Sequence, residues 1–134
     1  MAALELVVVT PTAEALTLTV EEVVVPGALG ELGFLPGHVP LISALKPGVM
    51  SYTKDLRKTM AVVSSGFVEI ENDKVTVLTD SYEPIHSIDV ERARKALAEA
   101  EERLKALGPE DPGYVEARRR ADRAQARIDG AARV

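Results

Sequence analysis

Apolar and polar positions follow two different rhythms along this chain. As far as residue 86 they alternate in short runs; beyond it they fall into helical stripes. Residues 4–10, 16–20 and 23–25 are rich in Val, Leu and Thr and are separated by polar or turn residues, as strands are. Residues 49–53 and 59–63 are joined through Lys54-Asp55, and residues 67–71 and 75–79 through Asn72-Asp73, the better hairpin turn. In the second pair Val68, Ile70, Val75 and Val77 alternate with other residues, which predicts one buried face. Many short strands at regular spacing predict an antiparallel sandwich.

The second rhythm begins at Val90. Val90, Ala93, Leu97, Ala100, Leu104 and Leu107 lie three or four apart and form one apolar stripe on a helix. Ser87 or Asp89 can cap its start, and Asp89 and Glu91 suit the positive end of its dipole. Gly108-Pro109 ends it, and Asp111-Pro112 is expected to open a second helix, with Asp111 as N-cap. The second stripe is Tyr114, Ala117, Ala121, Ala124 and Ile128. Facing stripes and a short turn predict an antiparallel hairpin. The expected class is therefore α+β: an N-terminal antiparallel β-sandwich, residues 1–86, and a C-terminal antiparallel α-helical hairpin, residues 87–134.

The second stripe is nearly all alanine. Each missing methylene forgoes roughly 0.8 kcal/mol of burial, yet Ala and Arg favour helix strongly. Such a segment keeps its helicity while packing weakly, which suits a change of partner. Stretched into continuous helix, residues 88–134 would reach roughly 70 Å at about 1.5 Å per residue. The turn at residues 108–113 is the natural hinge. A fixed hairpin, with small residues for close approach, is the alternative.

Composition sharpens the boundary. Residues 1–87 carry 5 Lys+Arg and 11 Asp+Glu (5 − 11 = −6), and residues 88–134 carry 11 and 10 (11 − 10 = +1). The net charge of −5 argues against non-specific nucleic-acid binding. Cysteine is absent, which excludes thiol catalysis and disulfides and fits a reducing compartment. Two histidines without cysteine make a structural zinc site unexpected. There is no long apolar run for a membrane span, no basic start for a signal peptide, and no P-loop.

The run Gly30-Glu31-Leu32-Gly33-Phe34-Leu35-Pro36-Gly37-His38-Val39-Pro40-Leu41 stands apart. So much Gly and Pro predicts a shaped loop rather than a strand, with apolar anchors and a surface made for contact. It resembles the G-E-L-G-I-x-P-G-H-x-P-L-L signature of the epsilon subunit of F-type ATP synthases, and the likeness extends into Lys46-Pro47-Gly48. The resemblance implies a flattened β-sandwich followed by a tail with compact and extended forms. It also implies that one end of the sandwich meets the gamma subunit and the c-ring. Glu31 would touch the c-ring and His38 gamma, with Gly33 and Pro40 in the same interface.

Ile88-Asp89-Val90-Glu91-Arg92-Ala93 resembles the I-D-x-x-R-A motif with which some bacterial epsilon subunits bind ATP. Asp89 can accept from the adenine amino group, and Arg92, Arg123 and Arg127 can fork onto phosphates, with Arg123 and Arg127 expected on one side of their helix. Glu83 stands where that family places an adenine-side carboxylate. Glu99 stands where ATP-binding members have arginine, and a carboxylate there repels phosphate. Otherwise Asp89 is a helix cap and the arginines a solvated face. By the same resemblance Arg118, Arg119 and Arg123 would engage the catalytic beta subunits when the tail extends.

The reading is a non-catalytic rotor subunit. It needs no cofactor, with ATP as a conceivable regulatory ligand, and its partners are gamma, the c-ring and the alpha/beta head. It reaches the membrane only through the complex, on the cytoplasmic face of a bacterial inner membrane. The alternatives are a free-standing ATP sensor whose hairpin closes on nucleotide, and a generic helical-hairpin adaptor.

Overall fold

The computed structural model describes residues 3–133. Strands β1 (Leu4–Thr10), β2 (Ala13–Val20), β3 (Glu22–Gly27), β4 (Gly30–Phe34), β5 (Leu41–Leu45), β6 (Gly48–Lys54), β7 (Arg57–Val63), β8 (Gly66–Glu71), β9 (Lys74–Thr79) and β10 (Tyr82–Pro84) come first. A 3₁₀ turn, Ile85–Ser87, leads to helices α1 (Val90–Ala106) and α2 (Tyr114–Ala131).

Strands pair in the order β10-β7-β6-β3-β5-β8-β9-β1-β2, with β4 added to β3. β3 and β5 share a single bridge, Gly27 with Leu45, so this corner divides the ladder into two layers. All pairs are antiparallel except β1 with β9, which run parallel. Alternate residues form the buried face: Leu4, Leu6 and Val8 of β1, Val68 and Ile70 of β8, and Val75 and Val77 of β9 are all 0% exposed. They meet Phe34, Met50, Ala61 and Val63 in one core.

Three expectations are corrected. The glycine-rich run is half strand: Gly30–Phe34 pairs along β3, and Leu41–Leu45 pairs along β8. Backbone hydrogen bonding to an already twisted neighbour outweighs the poor strand propensity of glycine. The β6–β7 turn is Asp55-Leu56, both at positive φ, because Lys54 pairs with Arg57. Asp111 does not cap α2. Gly113 holds the N-cap position, and the Asp111 carboxylate turns back to accept from the Gly108 amide at 2.5 Å. It serves the turn and the end of α1, since Pro112 and Gly113 push the next helix further along.

The two helices form the antiparallel hairpin. Ala93 and Ala100 of α1 and Ala117, Ala121 and Ala124 of α2 are buried. α2 also has a second buried face that the stripe does not show. Ala126 and Gly130 lie on the outer side of β6 and β7, against Val49, Val62 and Ile85. A Cβ at Gly130 would come within 2.6 Å of Val62 Cγ2, so glycine alone permits this approach. β7 is consequently buried on both faces at its end, and Ala61, Val62 and Val63 read as a continuous apolar run.

Candidate functional site

A cleft of about 450 Å³ opens where the hairpin meets the sandwich, lined by Glu83, Ser87, Asp89, Arg92, Ala93, Ala96 and Arg127. β10 delivers Glu83, the N-terminus of α1 delivers Asp89, Arg92 and Ala93, and the last turns of α2 deliver Arg127. Asp89 caps α1: its Oδ1 accepts from the Arg92 amide at 3.1 Å. One carboxylate oxygen is thus used for the helix. Ser87 donates its hydroxyl to the Pro84 carbonyl at 2.7 Å, which shapes the 3₁₀ turn. Arg127 approaches Glu83 Oε1 through Nη2 at 2.7 Å and Nε at 2.8 Å. Both side chains are about 30% exposed, 31% for Arg127 and 30% for Glu83. Among the described residues Arg92 makes no ion pair and remains the free cation of the cleft.

Five sequence-predicted residues converge here: Glu83, Asp89, Arg92, Ala93 and Arg127. Ile88 does not line the cleft; it packs against the Val49, Val62 and Ile85 cluster. Arg123 is also apart. Its Nη2 faces Glu116 Oε1 at 3.8 Å, and it does not line the cleft. Glu99 is exposed and lies outside the cleft lining. The basic band is likewise divided: Arg118 pairs with Asp122 at 3.7 Å and Arg120 with Glu116 at 3.3 Å, while Arg119 is exposed.

The signature residues lie at two ends of one strand. Glu31 pairs with Pro26 beside the β3–β4 turn, and His38 follows Phe34 at the opposite end of β4. The strand residues between them and the turn at Pro36-Gly37 set their spacing. Phe34 is the buried anchor, and the His38 ring meets it edge-on at 5.1 Å. His38 Nδ1 lies 2.6 Å from the Val39 carbonyl, to which it donates. Gly37, at φ 88°, donates its amide to Asp73 Oδ1 at 2.7 Å and ties the loop to the β8–β9 turn. Leu35 and Val39 face outward at 57% and 71% exposure, so they do not anchor the loop. Gly33 and Pro40 are exposed.

Sequence reasoning missed a second apolar surface. Ala44 of β5, Phe67 of β8, Leu78 of β9 and Val9 of β1 are register neighbours across one layer. Phe67 and Leu78 are 57% and 48% exposed, and Ile42 beside them is 68% exposed. A signal existed: with Val68, Ile70, Val75 and Val77 inward, Phe67 and Leu78 had to point outward. At the other end Leu29 projects fully into solvent from the β3–β4 turn, next to Glu31.

Known proteins show the same arrangement. The beta-sandwich domain of ATP synthase delta/epsilon chains matches residues 3–85, and their long alpha-helix domain matches residues 86–131. An ATP synthase epsilon chain of Geotalea daltonii is 48% identical over 111 residues, 83% of this chain and 80% of that one. One of Myxococcus xanthus is 41% identical over 131 residues, 98% of this chain and 96% of that one. Among solved structures, a chain in the cryo-EM structure of the Euglena gracilis mitochondrial ATP synthase, OSCP/F1/c-ring, superposes with a TM-score of 0.82 at 25% identity. It covers 100% of this chain and 83% of that chain.

Proposed function

The chain belongs to the family of ATP synthase epsilon chains, and from that premise we propose how its two parts divide the work. It is a non-catalytic subunit of the central stalk of the F-type enzyme, with gamma and the c-ring as its partners. Our reading is that the sandwich couples ring to gamma and that the hairpin is a mobile brake on ATP hydrolysis.

Coupling is supported by the exposed apolar residues. Phe67, Leu78, Ile42 and the loop residues Leu35 and Val39 offer gamma a hydrophobic side, and Leu29 with Glu31 offers the ring loops a tip. Exposed apolar clusters of this kind mark protein contacts. His38, Gly33 and Pro40 belong to the gamma side in this reading, and the complex holds the chain at the cytoplasmic face of a bacterial membrane. None of the described helices is long and apolar enough to cross a membrane.

The observation that carries the brake is the thinness of the hairpin's seat. α2 rests on the sandwich through Ala126, Gly130 and a small cluster around Val49, Val62 and Ile85, plus one ion pair. Released, both helices remain helical by propensity, and Arg118, Arg119 and Arg123 can engage acidic groups of the catalytic beta subunits. A reconstituted synthase carrying residues 1–87 alone tests this. Hydrolysis should rise, synthesis should persist, and inhibition by the full chain should weaken with salt. Unchanged hydrolysis on truncation refutes the brake.

A second reading, nucleotide sensing, is favoured by one observation: Glu83, Asp89, Arg92, Ala93 and Arg127 share a single cleft. ATP titration by NMR should shift these residues in the full chain and not in an Asp89→Ala, Arg92→Ala double variant. Absence of shifts in the unaltered chain removes the sensor.

A further inference from the structure

We infer that the tip of the β6–β7 hairpin is a further docking point of the sandwich, and that it fits a protein surface bearing carboxylates around an apolar pocket. The tip runs Lys54-Asp55-Leu56-Arg57-Lys58, and all of these residues are exposed. Residues 1–87 hold only 5 Lys+Arg, and Lys54, Arg57 and Lys58 are three of them. Lys54 and Arg57 are register partners, and Lys58 follows on β7. Among the described residues none of the three is in an ion pair. Asp55, Glu21 and Glu22 are the carboxylates at the root of the tip. Glu21 is already engaged: its Oε1 accepts from the Asp55 amide at 2.7 Å and ties the tip to the β2–β3 turn. A tethered hairpin presents its side chains with little further ordering to do on binding.

Leu56 is the residue that the fold does not explain. It sits at φ 66° and is 95% exposed, so a bulky side chain holds a left-handed position and leaves almost all of itself in water. The β8–β9 turn shows the ordinary solution. Asn72 and Asp73, at φ 50° and 60°, tolerate this conformation, and the Asp73 carboxylate accepts from the Gly37 amide within the fold. Strain kept for an exposed leucine, among unpaired cations on an acidic domain, finds its reason in a contact outside the chain. β3 sets the direction in which the tip points. Its Glu22 pairs with Thr53 beside the tip, and its Gly27 pairs with Gly30 beside Leu29, so tip and Leu29 lie at opposite ends of one layer. The inference rests on the proposed placement of Leu29 and Glu31 against the ring. The tip then points away from ring and membrane, toward gamma or the catalytic head, where protein carboxylates rather than lipid phosphates meet it.

The chain has no cysteine, so a single thiol at Leu56→Cys or Leu29→Cys can carry a benzophenone into the assembled synthase. Leu29→Cys should capture the c subunit, and Leu56→Cys should capture gamma, alpha or beta. If Leu29→Cys misses the ring, the proposed placement fails and this inference with it. If Leu29→Cys reaches the ring while Leu56→Cys captures lipid, the c subunit or nothing, the docking point alone is overturned. Leu56→Asn relieves the strain and removes the apolar group. Its unfolding midpoint should rise while its affinity for synthase depleted of this subunit falls about tenfold. A raised midpoint with unchanged affinity makes the leucine an ordinary turn residue and overturns the apolar contact. Changing Lys54, Arg57 and Lys58 together to Glu should slow association and flatten its dependence on salt. An unaltered salt dependence overturns the electrostatic fit.

Discussion

The sandwich and the hairpin are built from different apolar residues, and stability follows that difference. The sandwich core consists of Leu, Val, Ile, Phe and Met side chains, many of them 0% exposed. The hairpin seam and its seat on the sandwich use Ala93, Ala100, Ala117, Ala121, Ala124, Ala126 and Gly130. A buried Leu or Phe contributes roughly 1.5–3 kcal/mol, and alanine a fraction of that. One half is held by burial and the other by helix propensity, close fit and one ion pair. The proposed division of work, with one part clamping the rotor and the other moving, would need this asymmetry.

The largest effect that sharpens the contrast is Phe34→Ala. Phe34 is 1% exposed and among the largest fully buried side chains, so its removal should cost about 3–5 kcal/mol in denaturant unfolding. Next is Gly130→Val, which introduces a clash at Val62 and should weaken hairpin docking by about 1–3 kcal/mol. Hydrogen exchange should speed in α1 and α2 and stay unchanged in β1, β8 and β9. Equal acceleration in those strands would show a single cooperative unit and break the comparison. Smaller again is Asp89→Ala, which removes the N-cap bond to Arg92 and should fray the first turn of α1 by about 1 kcal/mol.

The two rhythms made the architecture legible. β1 and the Asn72-Asp73 turn lie where the alternation put them, and the buried stripe of α2 contains the expected Ala117, Ala121 and Ala124. Strands β4 and β5 were hidden because their stability comes from partners distant in sequence, which a Gly/Pro count does not register. The same holds for the cleft. Asp89 and Arg92 were visible in a local motif, but whether Arg123 or Arg127 joins them depends on which carboxylate is nearer, Glu116 or Glu83. Gly130 lies outside the stripe read from the sequence; the approach to Val62 gives it a reason.

The finest test concerns where the rigid part ends. Tyr82 lies in β10, the last strand before the hairpin, paired with Val63. Burial, with a smaller effect of nearby Tyr52, pushes its phenol from 10.0 up to about 12. The unfolded chain therefore releases this proton near pH 10 while the folded chain keeps it until about 12. Between those values the unfolded state binds fewer protons, so stability falls as pH rises, and below pH 10 the contribution is fully present. Tyr82→Phe should remove that part of the alkaline slope in unfolding curves, while lysine titration affects both proteins alike and cancels in the difference. Coincident slopes would mean that the phenol is hydrated in solution. β10 would then belong with the hairpin, and the boundary between the proposed clamp and the proposed brake would fall before residue 82 rather than after the strand.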